Sequence, residues 1–331
     1  MTLRLPRNWL WDFWHVWHGD NCHLFFIQAP RSLGSEELRH HNATIGHAIS
    51  RDLKNWTAVD EALHPGADGE WDDLATWTGS VIGHDGRWFM LYTGINRSEG
   101  GVVERIGLAT SADLYVWEKH PGNPILEADG RWYELLDLVS WYEQAWRDPW
   151  LFHDQADGSF HALITARVRS GPPDARGVIG HARSSNLRDW EVLPPVTAPG
   201  GFGHLEVPQL VRVGDRFLLI FSCGAKHLAR NKVEHLEQPS WTGTYCLVAD
   251  HALGPFDVRQ SRILVGDAFG SYYGGKLIED RSSRLQFMAF KAYDREGQFV
   301  GELTDPFPFE FEGGISPRVD LSDDLRRTGR F

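Results

Sequence analysis

Ile45-Gly46-His47-Ala48-Ile49-Ser50-Arg51-Asp52-Leu53-Lys54-Asn55-Trp56 returns as Ile106-Gly107-Leu108-Ala109-Thr110-Ser111-Ala112-Asp113-Leu114-Tyr115-Val116-Trp117, and again as Ile179-Gly180-His181-Ala182-Arg183-Ser184-Ser185-Asn186-Leu187-Arg188-Asp189-Trp190. A weaker fourth copy runs from Tyr245 to Phe256, with Leu253-Gly254-Pro255-Phe256 in place of the Asp-Leu turn and its Trp, and a vestigial fifth lies at Phe299 to Phe309. Ahead of each copy stand two apolar runs around a turn: Gly19-Asp20, Asp85-Gly86, Asp157-Gly158, Gly214-Asp215 and Arg281-Ser282. Apolar run, short Gly/Asp turn, apolar run is the signature of a β-hairpin. With a third strand at the Ile-Gly-x-Ala position and a fourth beginning near the Trp, each unit holds four strands, and a repeat of about 60 residues suits a propeller better than a helical solenoid. The expectation is an all-β, five-bladed β-propeller of four-stranded antiparallel blades around a central funnel-shaped pocket. It would form one domain over residues 1–331, with 316–331 as a C-terminal strap or tail. One terminus is expected to lend the strand that closes the ring. Two long insertions, Tyr133 to Trp146 with room for a helical turn or two, and Lys226 to Trp241, are candidates for a rim over the functional face.

Composition narrows the function. With 33 Lys and Arg against 45 Asp and Glu, the net charge of −12 leaves no electrostatic footprint for nucleic acid or an anionic membrane surface. No segment reaches membrane-spanning length, and Met1 to Asn8 has no apolar run of the signal-peptide kind. Cys22, Cys223 and Cys246 are odd in number and lack metal or redox spacing, which suits a reducing compartment. The expectation is a cytoplasmic protein; oligomeric state is unreadable. Fifteen Trp is a heavy load, and indole faces pack on the C–H faces of sugar rings while the N–H finds a polar partner.

Three acids share a register within the repeats. Trp11-Asp12-Phe13-Trp14, Trp146-Arg147-Asp148-Pro149 and Leu205-Glu206-Val207-Pro208 each set one carboxylate just before the first strand of a unit. The second unit has Trp77-Thr78-Gly79-Ser80 at that place, and the fifth has Ser271-Tyr272-Tyr273. Equivalent positions on innermost strands converge on a propeller axis, so five sequence-distant positions would line one pocket. Taken singly, Asp12 reads as a cap, Asp148 as the ion-pair partner of Arg147, and Glu206 as a polar strand end; the common register favours function. Sugar cleavage needs one carboxylic acid to protonate the leaving oxygen and a carboxylate to attack or to activate water. Competing chemistries lack their motifs. The 16 His include no helical His-x-x-x-His pair, and His40-His41 reads as loop. There is no nucleophile elbow and no phosphate loop, and Gly200-Gly201-Phe202-Gly203 reads as flexible backbone leading to Glu206. No metal and no cofactor are expected; the partner is a small saccharide.

In order and spacing these motifs resemble those of the fructan-active glycoside hydrolase families 32 and 68, the invertases and levansucrases. The Trp-Asp-x-Trp form looks more like family 68. His23-Leu24-Phe25-Phe26-Ile27-Gln28-Ala29-Pro30 and Ile45-Gly46-His47-Ala48 look more like family 32. The resemblance covers roughly residues 9–224. It implies a retaining, double-displacement mechanism on β-fructofuranosides, with Asp12 as nucleophile, Glu206 as general acid/base and Asp148 holding the furanose hydroxyls beside Arg147. It also implies a fructosyl subsite lined by Trp77 and Ser80 and bordered by Trp11 and Trp14, with Tyr272 at the equivalent place in the fifth unit. The chemistry asks for an ionised Asp12 and a Glu206 of raised pKa. The chain departs from family 32 in its first motif and in ending without a C-terminal β-sandwich. It departs from family 68 in carrying His204 and Val207 where that family has an acid and an Arg on the leaving-group side. Two alternatives stand beside this reading: an inverting, family 43-like pentosidase, and a carbohydrate-binding propeller without catalysis. A separation of roughly 5 Å between the Asp12 and Glu206 carboxyls favours retention, and roughly 6.5 to 9.5 Å favours inversion.

Overall fold

The computed structural model describes residues 3–230, 241–294, 296–312 and 316–321. Its first blade is β1 (Asn8–His18), β2 (Asn21–Pro30), β3 (Thr44–Ser50) and β4 (Trp56–Ala58), each antiparallel to the next. The second is β5 (Ala75–His84), β6 (Arg87–Ile95), β7 (Arg105–Ser111) and β8 (Glu118–Lys119), and the third is β9 (Trp146–Asp154), β10 (Ser159–Arg167), β11 (Gly177–Ser184) and β12 (Glu191–Leu193). The fourth is β13 (Glu206–Val213), β14 (Arg216–Cys223), β15 (Thr242–Ala249) and β16 (Arg262–Asp267). In the fifth, β17 (Tyr272–Glu279) pairs with β18 (Leu285–Tyr293), which pairs in turn with β19 (Phe299–Leu303) and β20 (Phe307–Glu312), and β21 (Ser316–Val319) lies outermost. The first strands β1, β5, β9 and β13 pack side by side around the axis, and β17 returns to β1. This is the expected five-bladed ring.

The repeated dodecapeptide has a physical cause. Asp52 accepts the backbone N–H groups of Lys54 and Asn55 at 2.9 and 2.7 Å, Leu53 sits at φ 61°, and Trp56 Nε1 closes the turn on the Leu53 carbonyl at 3.1 Å. Asp113, Leu114 and Trp117 repeat it, as do Asn186, Leu187 and Trp190, with indole bonds of 3.0 and 3.3 Å. A short polar side chain that mimics a backbone turn, followed by an anchoring indole, joins the third and fourth strands of the first three blades.

The innermost strands are longer than their apolar runs imply. Each begins before the predicted hairpin and is broken by a β-bulge: at Asp12, at Thr78, at Asp148-Pro149, at Val207-Pro208 and at Gly274-Gly275. Asp12, Asp148, Val207 and Gly274 have φ of 29°, 57°, 52° and 57°. The three non-glycine residues carry backbone strain of about 1–3 kcal/mol each, the kind that persists where surroundings over-determine it. Proline has no N–H to offer a ladder and is tolerated at a bulge, which accounts for the Asp-Pro and Val-Pro steps. The acids therefore lie within or at the very start of the first strands, not ahead of them.

Between blades the core divides into clusters, one of which holds Trp14 stacked on Phe25. Two buried histidine pairs occupy equivalent places: His23 Nδ1 lies 3.0 Å from His47 Nε2, and His161 Nδ1 lies 2.9 Å from His181 Nε2. Burial pulls His23, His47 and His181 down to about 4, 3 and 4. Their folded-state pKa is depressed, so the stability they contribute is complete above the unfolded value of 6.5 and is lost as pH falls toward 4. Replacing the first pair together, His23→Phe with His47→Leu, is expected to remove about 1–2 kcal/mol per ring of the stability lost between pH 7 and pH 5. Urea titrations of both proteins at the two pH values measure it; equal losses would refute it.

Among the described residues, no strand of one terminus joins the blade of the other. Leu3 and Leu303 trade backbone hydrogen bonds at 3.1 Å, Arg31 donates to the Val300 carbonyl at 2.7 Å, and Trp17 Nε1 donates to the Glu279 carbonyl at 2.9 Å. Of the proposed 316–331 strap, residues 316–319 are instead the outer strand of the fifth blade, and 322–331 lie outside the described residues. The stretch Tyr133 to Trp146 contains no helix: Tyr133 is buried, its hydroxyl donating to the Leu193 carbonyl at 2.6 Å, while Leu138 and Val139 are exposed. Of the Lys226–Trp241 insertion, 231–240 lie outside the described residues. Among those described, no helix is long and apolar enough to cross a membrane.

Candidate active site

The five bulges meet around a cavity of about 810 Å³ at the start of the inner strands. Asp12, Asp148 and Glu206 all line it, from β1, β9 and β13, with Trp11, Trp77 and Arg147 beside them. Three carboxylates drawn from positions 12, 148 and 206 thus share one space, as their common register predicted.

Arg147 organises the acids. Its NH1 donates to Glu104 at 2.9 and 3.1 Å and to Glu143 at 2.8 Å, and its NH2 donates to Glu206 at 2.7 Å. Its Nε lies 3.5 Å from Asp148 Oδ2. Burial works against this cation, but the surrounding carboxylates outweigh it and hold the guanidinium firmly charged. Asp148 is fixed by Thr165 Oγ1 at 2.8 Å and by the Val207 N–H at 3.1 Å, while its own N–H donates to Thr93 Oγ1 at 3.0 Å. Burial raises its pKa, with Arg147 opposing.

Asp12 stands differently. Its Oδ1 accepts no hydrogen bond from any described residue. A Cβ at Gly274 would sit 2.5 Å from that oxygen, so only glycine lets the fifth blade approach so closely. Burial, then the charges of Asp148 and Glu206, push the Asp12 carboxyl up to about 7. Glu206 is the reverse: burial raises it, but His204, Arg147 and a hydrogen bond from the Tyr273 hydroxyl outweigh burial and hold it well below the usual carboxylate range. The expectation of an ionised Asp12 and a raised Glu206 is thereby corrected: Asp12 is pushed up and Glu206 is held low. The cause is partners: Glu206 has three donors at hand, and Asp12 has an orphan oxygen.

Four expected site residues lie elsewhere. Trp14 shares a face of β1 with Trp11 but lies further along the strand, fully buried and stacked on Phe25, while Trp11 stands on the pocket wall. Ser80 is buried and accepts the Leu151 N–H at 2.8 Å, tying β5 to β9; the bulge at Thr78 gives Thr78 the pocket-facing place. Tyr272 packs edge-on to Phe307, and Tyr273 faces the cavity. A shift of one residue in a strand exchanges the two faces. His204 is fully buried behind the wall, 3.5 Å from Glu206 and 3.2 Å from Glu143, with Trp141 Nε1 donating to it at 2.9 Å.

The expected rim insertions supply Tyr142, Glu143 and His227 to the mouth, and sequence reading missed Arg39, His40 and Phe269 beside them. The short 3₁₀ segment Glu36–Asn42 brings Arg39 and His40 onto the wall. Trp77 Nε1 donates to the His40 carbonyl at 2.7 Å, and the Arg39 guanidinium lies 5.5 Å from the Trp11 ring. Tyr142, Glu143, His227 and Phe269 complete the mouth. Nothing in periodicity marks them; the long insertions are the only signal. His204, Glu206 and His227 are close enough to share a cation, as are Asp154, Asp157 and His161. In the first group Arg147 already occupies a Glu206 oxygen and lies 3.4 Å from His204, a poor neighbour for a metal ion.

The sequence profile of the Glycosyl hydrolases family 32 N-terminal domain matches residues 6–297. The chain is 26% identical over 289 residues to the cell wall isozyme of beta-fructofuranosidase from Pisum sativum, covering 83% of this chain and 48% of that protein. It is 27% identical over 248 residues to an extracellular sucrase of Zymomonas mobilis subsp. mobilis, covering 61% and 58%. It thus spans about half the length of these relatives. In fold it superposes on the inulosucrase from Halalkalicoccus jeotgali bound to kestose with a TM-score of 0.76 at 22% identity, covering 95% of this chain and 87% of that one.

Proposed function

From the premise that this chain belongs to glycosyl hydrolase family 32, we propose that it cleaves or transfers the fructosyl group of small β-fructofuranosides of the sucrose type, with retention of configuration. The observation that carries the reading is the meeting of Asp12, Asp148 and Glu206 in one cavity, with an Asp12 oxygen left without a partner.

In this reading Asp12 attacks the anomeric carbon while Glu206 gives its proton to the departing oxygen. The resulting glycosyl ester at Asp12 is opened by water, or by an acceptor sugar, whose proton Glu206 takes back. Asp148, held by Thr165 and the Val207 N–H, presents its carboxylate to ring hydroxyls; Trp11 and Trp77 form the apolar wall. The charge of Glu206 helps push the Asp12 carboxyl up, so below neutrality the proton of the pair rests on Asp12. A fructosyl ring seated over Asp12 favours its ionised form, because positive charge develops at the anomeric carbon, and the proton is then wanted on Glu206. His204 and Arg147 position Glu206 from behind.

Sucrose, inulin, nitrophenyl glycosides and pentose oligomers, with product configuration followed by NMR, test the reading. Release of β-fructofuranose in the first turnovers is expected. Activity on pentosides with inversion would favour the family 43-like alternative, and binding without turnover would favour a non-catalytic propeller. We further propose a single catalytic domain and a cytoplasmic location; the buried positions of Cys22, Cys223 and Cys246 support the latter, and cell fractionation tests it.

A further inference from the structure

Directly after the fifth bulge, β17 carries a lysine that the mechanism above does not use. Lys276 is 2% exposed. Its Nζ donates to the Val207 carbonyl at 2.7 Å and to the Pro208 carbonyl at 2.9 Å, and lies 5.2 Å from the centroid of the Trp150 ring. Those carbonyls belong to the strained bulge that immediately follows Glu206. No carboxylate bonds directly to this ammonium among the described contacts, yet Asp12 and Asp148 are near enough to feel its charge. We propose that Lys276 is a positioning residue of the site: its ammonium aims Glu206 through the Val207 and Pro208 carbonyls and supplies the counter-charge to Asp12 and Asp148.

The tether and the charge have separate grounds. A buried carbonyl without a donor is costly, and two adjacent ones at a bulge would let the Glu206 backbone relax. A methionine would fill the same space, so volume alone does not explain a lysine here. The charge bears on Asp12, which faces Asp148 from β9, Glu206 from β13, Lys276 from β17 and Arg39 from the rim. Two of these groups push the Asp12 carboxyl up, and Lys276 and Arg39 pull it down. Lys276 also faces His15 of β1, whose pKa burial and this ammonium together depress to about 4. Burial brings Lys276 itself down to about 7, so its cation is present on the acid side of neutrality, where the ionisation of Asp12 is decided.

The inference rests on the proposed roles of Asp12 and Glu206, and Lys276→Gln separates charge from tether, because it removes the cation and keeps an N–H donor group on a slightly shorter side chain. Expected are an unchanged fold and an acidic limb of kcat/KM displaced upward by about one pH unit, with a loss of about five- to tenfold at pH 6 that narrows at pH 8. Lys276→Arg keeps a cation and should hold the limb at or below its wild-type position. A uniform loss of activity with the limb unmoved in Lys276→Gln, or an upward shift in Lys276→Arg, overturns the proposal. Wild-type protein inactive on every fructoside would defeat the functional reading instead. In that event the Asp12 carboxyl, followed by ¹³C NMR against pH in wild type and Lys276→Gln, still decides the electrostatic claim: an equal midpoint in both ends it.

Discussion

Asp12→Asn is expected to lower kcat on fructosides by on the order of 10⁴-fold or more while raising the melting temperature. The loss follows from the role: an amide neither attacks the anomeric carbon nor carries the glycosyl ester. The gain follows from the environment. The Asp12 carboxyl is pushed up to about 7 from an ordinary 3.8, so the folded state holds the proton more tightly than the unfolded chain does. For a group shifted in this direction, stability falls as pH rises from about 4 through 7, because the ionised carboxylate is unwelcome among Asp148 and Glu206. A neutral amide escapes that cost, and asparagine tolerates the left-handed φ of 29° at this position. The expected stabilisation is on the order of 2 kcal/mol above pH 7, vanishing near pH 4. Thermal melts of the two proteins at pH 8 and pH 4, beside turnover on sucrose, test both halves. A variant that keeps its turnover would revive a binding role for the pocket.

Arg147→Met carries the largest structural effect. The guanidinium meets Glu104, Glu143, Glu206 and Asp148 at 2.9, 2.8, 2.7 and 3.5 Å, and Glu104 is wholly buried, with the Trp146 N–H at 2.9 Å as its remaining donor. Removing one partner of a buried ion pair leaves an uncompensated charge, typically a loss of about 3–5 kcal/mol. Burial and the nearby acids already push the Glu104 carboxyl upward against the pull of Arg147. Without that pull the acids can only be accommodated by taking up protons. The sign follows: acids with raised folded-state pKa favour the fold at low pH, so the variant should be least impaired near pH 5 and most impaired at pH 8. Arg147→Lys restores one charge but not the fork that reaches several carboxylates at once, and is expected to recover only part of the loss. Urea midpoints across pH 5–8 measure this; a loss independent of pH would exclude the electrostatic account.

Five blades, their hairpin turns and the three acids were legible because each leaves a local trace: period-two apolar runs, Gly/Asp turns, and the Ser-x-Asp-Leu-x-x-Trp turn that Asp52, Asp113 and Asn186 build from their own side chains. Which side chains face the axis was less legible, for a reason common to Ser80 and Tyr272. The inner strands carry inserted residues that no period-two pattern marks, and Thr78 and Tyr273 hold the places expected for Ser80 and Tyr272. The ionisation pattern was not readable because it depends on donors brought from other blades: Tyr273 and Arg147 to Glu206, none to Asp12 Oδ1. Arg39 and Lys276 were missed because no periodic signal distinguishes a rim or axial cation from any other.

Because each bulge confines its irregularity to a residue or two of one inner strand, the remainder of every blade keeps its pairing whatever stands at that point. The pocket wall is thus assembled from five sockets, linked by a few hydrogen bonds such as those of the Val207 N–H to Asp148 and of Lys276 to the Val207 carbonyl. Thr78 is a socket without charge, where exchanging the side chain reshapes the space beside the acids and leaves the hydrogen-bond ladder of its sheet alone. Diversification of sugar preference can proceed one socket at a time, while the shell of the barrel-like ring stays the same.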